Sequence, residues 1–374
     1  MFQKDSRAVP DIQSRCFMDL LARLVLRGIS ADDRCNDWKA LANDFQYILS
    51  LSPPEIEALL ALANTHHVTV RALNVLQQIA VPQGRQDVLN WCGECLTAEG
   101  SRIGKALAAL EPICNALQDQ AEVVVIKSLD HWPDLGSDLD LFTNAHSRTV
   151  LHVLHQEFGA TPVERSWGDR LANKWNFKVP GLDELLEVHV RYLGQTGEQN
   201  ALAQRLVRRR VTKRVAGHTF FVPAPEERII ISTLQRMYRH FYFRLCDMAD
   251  FTSLLRSRSV DFVELERAAT AGGIWAGVKA FLLLISRYVR SFGTEVELPG
   301  PILSSQSFAD VNVRLEKGFL RVPKLPAASL YGQQLWQAGT NLDMRAISRL
   351  PLLPPLAISA LVAYRLTGSD KGVW

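Results

Sequence analysis

What the 374-residue sequence lacks narrows it first. Its formal net charge is only +3, with 42 Lys and Arg against 39 Asp and Glu. That balance argues against a protein that coats nucleic acid by bulk electrostatics, although a local basic stripe stays open. Six cysteines are scattered without framework spacing, so a disulfide scaffold is not expected and a reducing, cytoplasmic setting is. No charged leader followed by an apolar core and a small-residue cleavage site is recognisable, so export is not expected. The largely apolar stretch from Leu350 to Tyr364 is interrupted by Pro351, Pro354 and Pro355 and falls short of the roughly 20 residues of a bilayer span. Without flanking cationic clusters, it predicts a docked C-terminal helix and no membrane span. Internal repeats and low-complexity segments are also missing. What is there, 47% apolar and 22% charged residues, describes a folded chain long enough for two or three domains.

The first 120 residues read as helices. Phe17, Leu20, Leu21, Leu24 and Val25 recur at helical spacing, as do Ile103, Leu107, Leu110, Cys114 and Leu117. Ser52-Pro53-Pro54-Glu55 supplies a capping residue, helix-starting prolines and an early acid ahead of Ile56, Leu59, Leu60 and Leu62. Cys92-Gly93-Glu94-Cys95 has neither a second ligand pair for zinc nor the βαβ context of a redox motif, so free thiols are expected. His66 and His67 are expected to cap or line a helix end.

From about 121 to 191 the pattern changes to alternating strands and one helix. Val123 to Ile126 reads as a buried strand ending in Lys127 and Ser128. Ten positions on, GSDLDL (Gly136 to Leu141) places Asp138 and Asp140 on one face of a strand, with Leu139 and Leu141 on the other. Two like charges at the end of a buried strand need a divalent cation or a shared proton to offset their repulsion. In LLEVHV, Glu187 and His189 share a face at the same rhythm. Three acids on neighbouring strands would hold two magnesium ions. Between these strands, Thr149 to Phe158 reads as a helix stopped by Gly159. Asn173 to Val179 alternates, with Lys174, Asn176 and Lys178 on one face. That face is either solvated or lends a lysine to a nucleotide phosphate.

These residues carry a resemblance. A strand with a terminal Ser, Asp-x-Asp on a second strand and a lone acid on a later one is similar to the DNA polymerase beta-like nucleotidyltransferase superfamily, which includes the aminoglycoside nucleotidyltransferases. VVVIKSLDHWPDLGSDLDLF, then LLEVHVRY, then the segment opening FFVPAPEERIIISTLQRMYRHF resembles more narrowly the bacterial uncharacterised nucleotidyltransferase family. The superfamily usually has Gly-Ser where this chain has Lys127-Ser128, and the narrower family has Lys-Gly. The resemblance implies an α+β fold: a small nucleotidyltransferase-type mixed β-sheet core over 121–222, an N-terminal helical lobe over 1–120 and a C-terminal helical region over 223–374. It implies Mg2+-dependent transfer of a nucleoside monophosphate from an NTP, ATP by expectation, to a hydroxyl of an acceptor. Two Mg2+ ions, or Mn2+, would sit on Asp138, Asp140 and Glu187, the last also acting as or assisting the general base. Lys127, Ser128, Gly136, Ser137 and one of Lys174 and Lys178 would hold the nucleotide, and His189 would support Glu187.

A non-catalytic descendant that binds a nucleotide or a protein is the alternative, favoured by the altered Lys127-Ser128 pair and opposed by the three acids. A glycosyltransferase using Asp-x-Asp would want a Rossmann-like half where this chain offers helices. Downstream, Arg205, Arg208, Arg209, Arg210, Lys213 and Arg214 form a basic stretch. It reads as a solvated helix and hairpin, or as a rim for a triphosphate or RNA; lacking interleaved aromatics, it leaves nucleic acid disfavoured. Pro225-Glu226-Glu227 opens a helix carrying Arg236, Arg239 and His240, and the next helix carries Asp247 and Asp250, which are expected to support substrate binding or to pair with Arg239 or Arg244. Beyond Phe292 the sequence reads as irregular and proline-marked.

Overall fold

The computed structural model describes residues 11–30, 38–304 and 311–367. The chain forms two compact units, each drawn from separate stretches of sequence. One holds residues through Ser101, Tyr242–Arg258 and Leu282–Pro323; the other holds Arg102–Phe241, Ser259–Phe281 and the chain from Lys324 onward. The fold is α+β, a mixed sheet with helical flanks.

In the first unit, helix Asp11–Ser30 buries the stripe Phe17, Leu20, Leu21, Leu24 and Val25 that its periodicity predicts. Helix Pro53–Thr65 starts as its sequence dictates: Glu55 Oε2 accepts from Ser52 N at 2.8 Å and from Ser52 Oγ at 2.6 Å. His66 ends that helix; its Nδ1 accepts from Leu245 N at 2.9 Å and its Nε2 donates to Gly318 O at 2.7 Å. Cys92 and Cys95 are free thiols on helix Gln86–Gln118, and burial pushes the Cys92 thiol up to about 12. In helix Leu245–Arg256, Asp250 pairs with Arg71 at 2.6 Å, and Asp247 accepts from Arg244 N at 2.7 Å. Asp250 thus pairs with an arginine 179 positions away in the sequence.

The second unit contains the strands that carry the acids. A five-stranded sheet comprises β1 (Val123–Val125), β2 (Asp138–Thr143), β3 (Thr161–Pro162), β4 (Lys174–Lys178) and β5 (Leu185–Val190), in the order β1-β2-β5-β4-β3. Only β2 and β5 are parallel. Helix Ser147–Phe158 stops at Gly159, φ +60°, where the backbone turns left-handed. A separate hairpin, β6 (Arg210–Val215) and β7 (His218–Pro223), packs its second strand beside β1.

The C-terminal third departs from the irregular reading. Helices Lys324–Thr340, Met344–Arg349 and Leu353–Thr367 follow one another. The first escapes a periodicity search because it packs through Ala327, Leu330, Ala338 and a buried amide, Gln334, rather than through a stripe of large residues. Arg345 donates to Gly197 O at 2.7 Å and stacks 3.4 Å over Tyr192, while Arg349 donates to Leu171 O and Thr196 O. The last helix buries Leu356 but leaves Ile358, Val362 and Leu366 exposed. Among the described residues no helix is long and apolar enough to cross a membrane.

Candidate active site

Strand register brings the acids together. Asp140 lies opposite Glu187 across the parallel β2–β5 ladder, and Phe142 lies opposite His189. Paired residues project to the same side of a sheet, so Asp140, Glu187 and His189 share a face. Behind them Leu139, Leu141, Leu186 and Val188 are fully buried on the opposite face. A one-residue slip would drive those leucines into the site and the acids into the core, which is what fixes the register. The ligand atoms of Asp140, Glu187 and His189 lie within 4.8 Å of one another. Asp138, two residues upstream of Asp140, is exposed at the lip.

Two lysines enter this cluster. Lys127, just beyond β1, sets its ammonium against Asp140 Oδ1 and 3.6 Å from Glu187 Oε1. Lys174, on β4 opposite His189, reaches Glu187 Oε2 and Asp169 Oδ1, both at 2.9 Å. Asp169 arrives through local sequence: Ser166 caps the short helix Trp167–Ala172, its Oγ accepting from Asp169 N at 3.0 Å. His189 Nε2 donates to Glu187 Oε1 at 2.8 Å and lies 3.6 Å from Asp140 Oδ1.

The carboxylates respond in opposite directions. Burial by itself would raise Glu187, but the Lys127 and Lys174 ammoniums and the His189 hydrogen bond outweigh it and hold the carboxyl well below its ordinary value. Asp169 is depressed in the same way, with Lys174 overcoming the cost of burial. Asp138 is raised, first by lost hydration and then by repulsion from Asp140 and Glu187, which together exceed the pull of the two lysines.

The other predicted residues fall into place unevenly. Ser128 is buried, and its hydroxyl is used on the aspartate strand: Oγ accepts from Asp140 N at 2.8 Å and donates to Asp138 O at 3.2 Å. It therefore positions both aspartates and does not face an open phosphate site. Gly136 offers its carbonyl to Arg102 at 3.4 Å, and Ser137 Oγ lies 3.4 Å from Asp138 Oδ2. Lys174 is not on a solvated face; it is buried between two acids, whereas Lys178 on the same strand is exposed. Much of the basic stretch is engaged within the protein. Arg205 and Arg209 pair with Glu226, Glu227 and Glu264, Arg210 with Glu122, and Lys213 donates to Leu129 O at 2.6 Å.

Several residues at the site gave little sequence signal. Lys213, Arg228 and Arg102 clamp the loop between β1 and β2 at Leu129 O, at Asp130 (2.7 Å) and at Leu135 O (3.0 Å). Arg239 belongs to a π-helical turn, Arg236–His240, a feature frequent at functional sites. With Lys127, His189, Gln195 and Leu234 it lines a cavity of about 40 Å³, and its Nε is buried without a hydrogen bond. Ser166-x-x-Asp169 was visible as a capping pattern, but nothing local pointed Asp169 at Lys174. A larger cavity of about 340 Å³, lined by Asn144, Arg191, Gln204 and Arg208 among others, includes none of the acids.

The donor set fits a hard divalent cation. Carboxylate oxygens suit Mg2+ or Mn2+, and Asp138, Asp140 and Glu187 supply them around one face of the sheet. The outer edge is Asp138 with Asp140 Oδ2, the Lys127 ammonium being set against Asp140 Oδ1.

A family model described as uncharacterised nucleotidyltransferase matches residues 52–290, more than half of the chain. Among solved structures, an antigenic nucleotidyltransferase-like protein from Paracoccidioides brasiliensis is 15% identical, with 54% of this chain and 96% of that one covered at a TM-score of 0.33; at that distance it supports no inference. No curated protein matches.

Proposed function

Because the chain belongs to the uncharacterised nucleotidyltransferase family, we propose that it moves a nucleoside monophosphate from an NTP, with ATP the first to test, to the hydroxyl of an acceptor, releasing pyrophosphate. The observation that carries this reading is the in-register pairing of Asp140 with Glu187 on parallel strands, with Asp138 at the open lip. Asp138 and Asp140 would hold a divalent cation. Such an ion, when bound, supplies charge that draws in the triphosphate and lowers the pKa of the attacking hydroxyl.

The chain's own groups do the rest. Ser128 fixes the backbone of both aspartates. Glu187 anchors Lys127, Lys174 and His189 and so orients the cluster, and it stands where it would act as, or assist, the general base. Arg239 stands ready for the anionic nucleotide, its buried Nε having no hydrogen bond.

A binding-only protein is the rival, and the observation in its favour is that Lys127 already neutralises Asp140. Incubation with α-labelled or γ-labelled ATP, Mg2+ and a metabolite extract separates the two. Label carried to an acceptor from the α position alone supports nucleotidyl transfer; tight binding without turnover supports the rival; absence of any metal-dependent nucleotide binding refutes both.

A further inference from the structure

Lys127 occupies a backbone position that its side chain makes costly. It is the centre of a tight turn in which Ser128 N donates to Ile126 O at 2.6 Å, and its φ and ψ are +60° and −57°. This γ-turn geometry is rare for residues with a Cβ and falls naturally to glycine. Strain of this kind persists where the surroundings over-determine it. Here what surrounds it is the acid cluster: the side chain is 10% exposed, and its ammonium contacts Asp140 Oδ1 with Glu187 Oε1 at 3.6 Å.

The space between Asp140 and Glu187, where a two-ion arrangement needs a cation, is filled by the lysine.

We propose that Lys127 is a tethered replacement for one of two metal ions, so that the site takes up a single divalent cation with each nucleotide, at the Asp138–Asp140 edge. The inference rests on the nucleotidyl-transfer reading of the same site and replaces its expected two ions with one.

Mn2+ serves as the probe, with α,β-methylene ATP as the nucleotide; bound Mn2+ and nucleotide per chain are measured by equilibrium dialysis on the full chain, with free Mn2+ read by electron paramagnetic resonance. Wild type should bind one Mn2+ per nucleotide. Lys127→Gly, which suits the positive φ and removes the ammonium, should bind two, the second at least about tenfold tighter than any second ion in wild type. Lys127→Asn, which removes the ammonium but keeps a Cβ at the turn as lysine does, should behave like the glycine variant, and Lys127→Arg should stay at one. Thermal unfolding of each variant checks that it is folded. Two ions in wild type, or a single ion in both neutral variants, overturns the inference and leaves the nucleotidyl-transfer reading standing. Absence of Mn2+-dependent nucleotide binding in folded wild type overturns that reading, and the inference with it.

Discussion

Two ionic clusters in the same unit make a useful contrast. At the helix Pro225–Gln235, Arg205, Arg209 and Arg267 meet Glu226, Glu227 and Glu264, three charges against three. At the β2–β5 edge, four acids meet two lysines and a histidine. The first cluster is the more conspicuous in sequence, six cations from Arg205 to Arg214, yet within it Arg205 and Arg209 are matched by carboxylates. The second is sparse in sequence but keeps an unbalanced, outward-facing remainder at Asp138. Charge density in a sequence marks neither cluster as a site; what distinguishes them is the charge left after pairing.

The contrast is sharpest at Asp140. Asp140→Asn removes the acid that is paired in register with Glu187 and is expected to reduce nucleotidyl transfer by about 10²–10³-fold or more, the scale of losing one preorganised electrostatic contact to a transition state. The melting temperature should change little, because Lys127 keeps Glu187 at 3.6 Å and the repulsion between Asp140 and Asp138 is removed. Steady-state kinetics and calorimetry on the same preparation check both halves. Activity within a few-fold of wild type would place the chemistry elsewhere.

Lys174→Met tests whether this cluster is also structural. Leaving two buried carboxylates without their shared ammonium is expected to cost about 3–4 kcal/mol near pH 7. The sign of the pH dependence follows from the depressed Glu187 and Asp169. Their contribution to stability is fully present above the ordinary values of 4.5 and 3.8 and is lost as the pH falls through the lower folded-state values. Asp138, being raised, acts oppositely: protonating it relieves repulsion as the pH falls through its folded value. Denaturant melts between pH 7 and pH 3 should therefore show the gap between wild type and Lys174→Met closing toward acid. A gap that stays constant would mean the lysine acts by packing alone.

The balanced cluster should yield the smallest effect. Glu227→Gln keeps a hydrogen-bonding side chain where Arg205 and Arg209 converge, and Arg205 retains Glu264. A loss of about 1–2 kcal/mol is expected, with nucleotide affinity unchanged. Weakened nucleotide binding in this variant would restore the basic stretch as a substrate contact.

How much of this could be read in the chain beforehand depended on distance along it. Asp138 with Asp140, and Glu187 with His189, were visible because strands alternate every two residues. The cap at Ser52 and the stop at Gly159 were visible because they are settled within one turn. Lys174 was misjudged as a surface residue, since alternation says which face it shares but not that Asp169 and Glu187 lie there. Ser128 was assigned to a phosphate because its position after β1 was legible, whereas its bonds to the backbone of β2 were not. The helix Lys324–Thr340 was missed because small residues and one amide pack it.

The sequence by itself determined which side chains share a strand face and where several helices begin and end, because those follow from backbone geometry over a few residues. Only the tertiary structure decided that Asp140 stands opposite Glu187, that Lys127 and Lys174 join them, and that Arg205, Arg209 and Arg210 of the basic stretch are matched by acids. Electrostatic energy depends on separation in space, and the long stems of lysine and arginine bring together charges whose spacing along the chain carries no mark of the encounter.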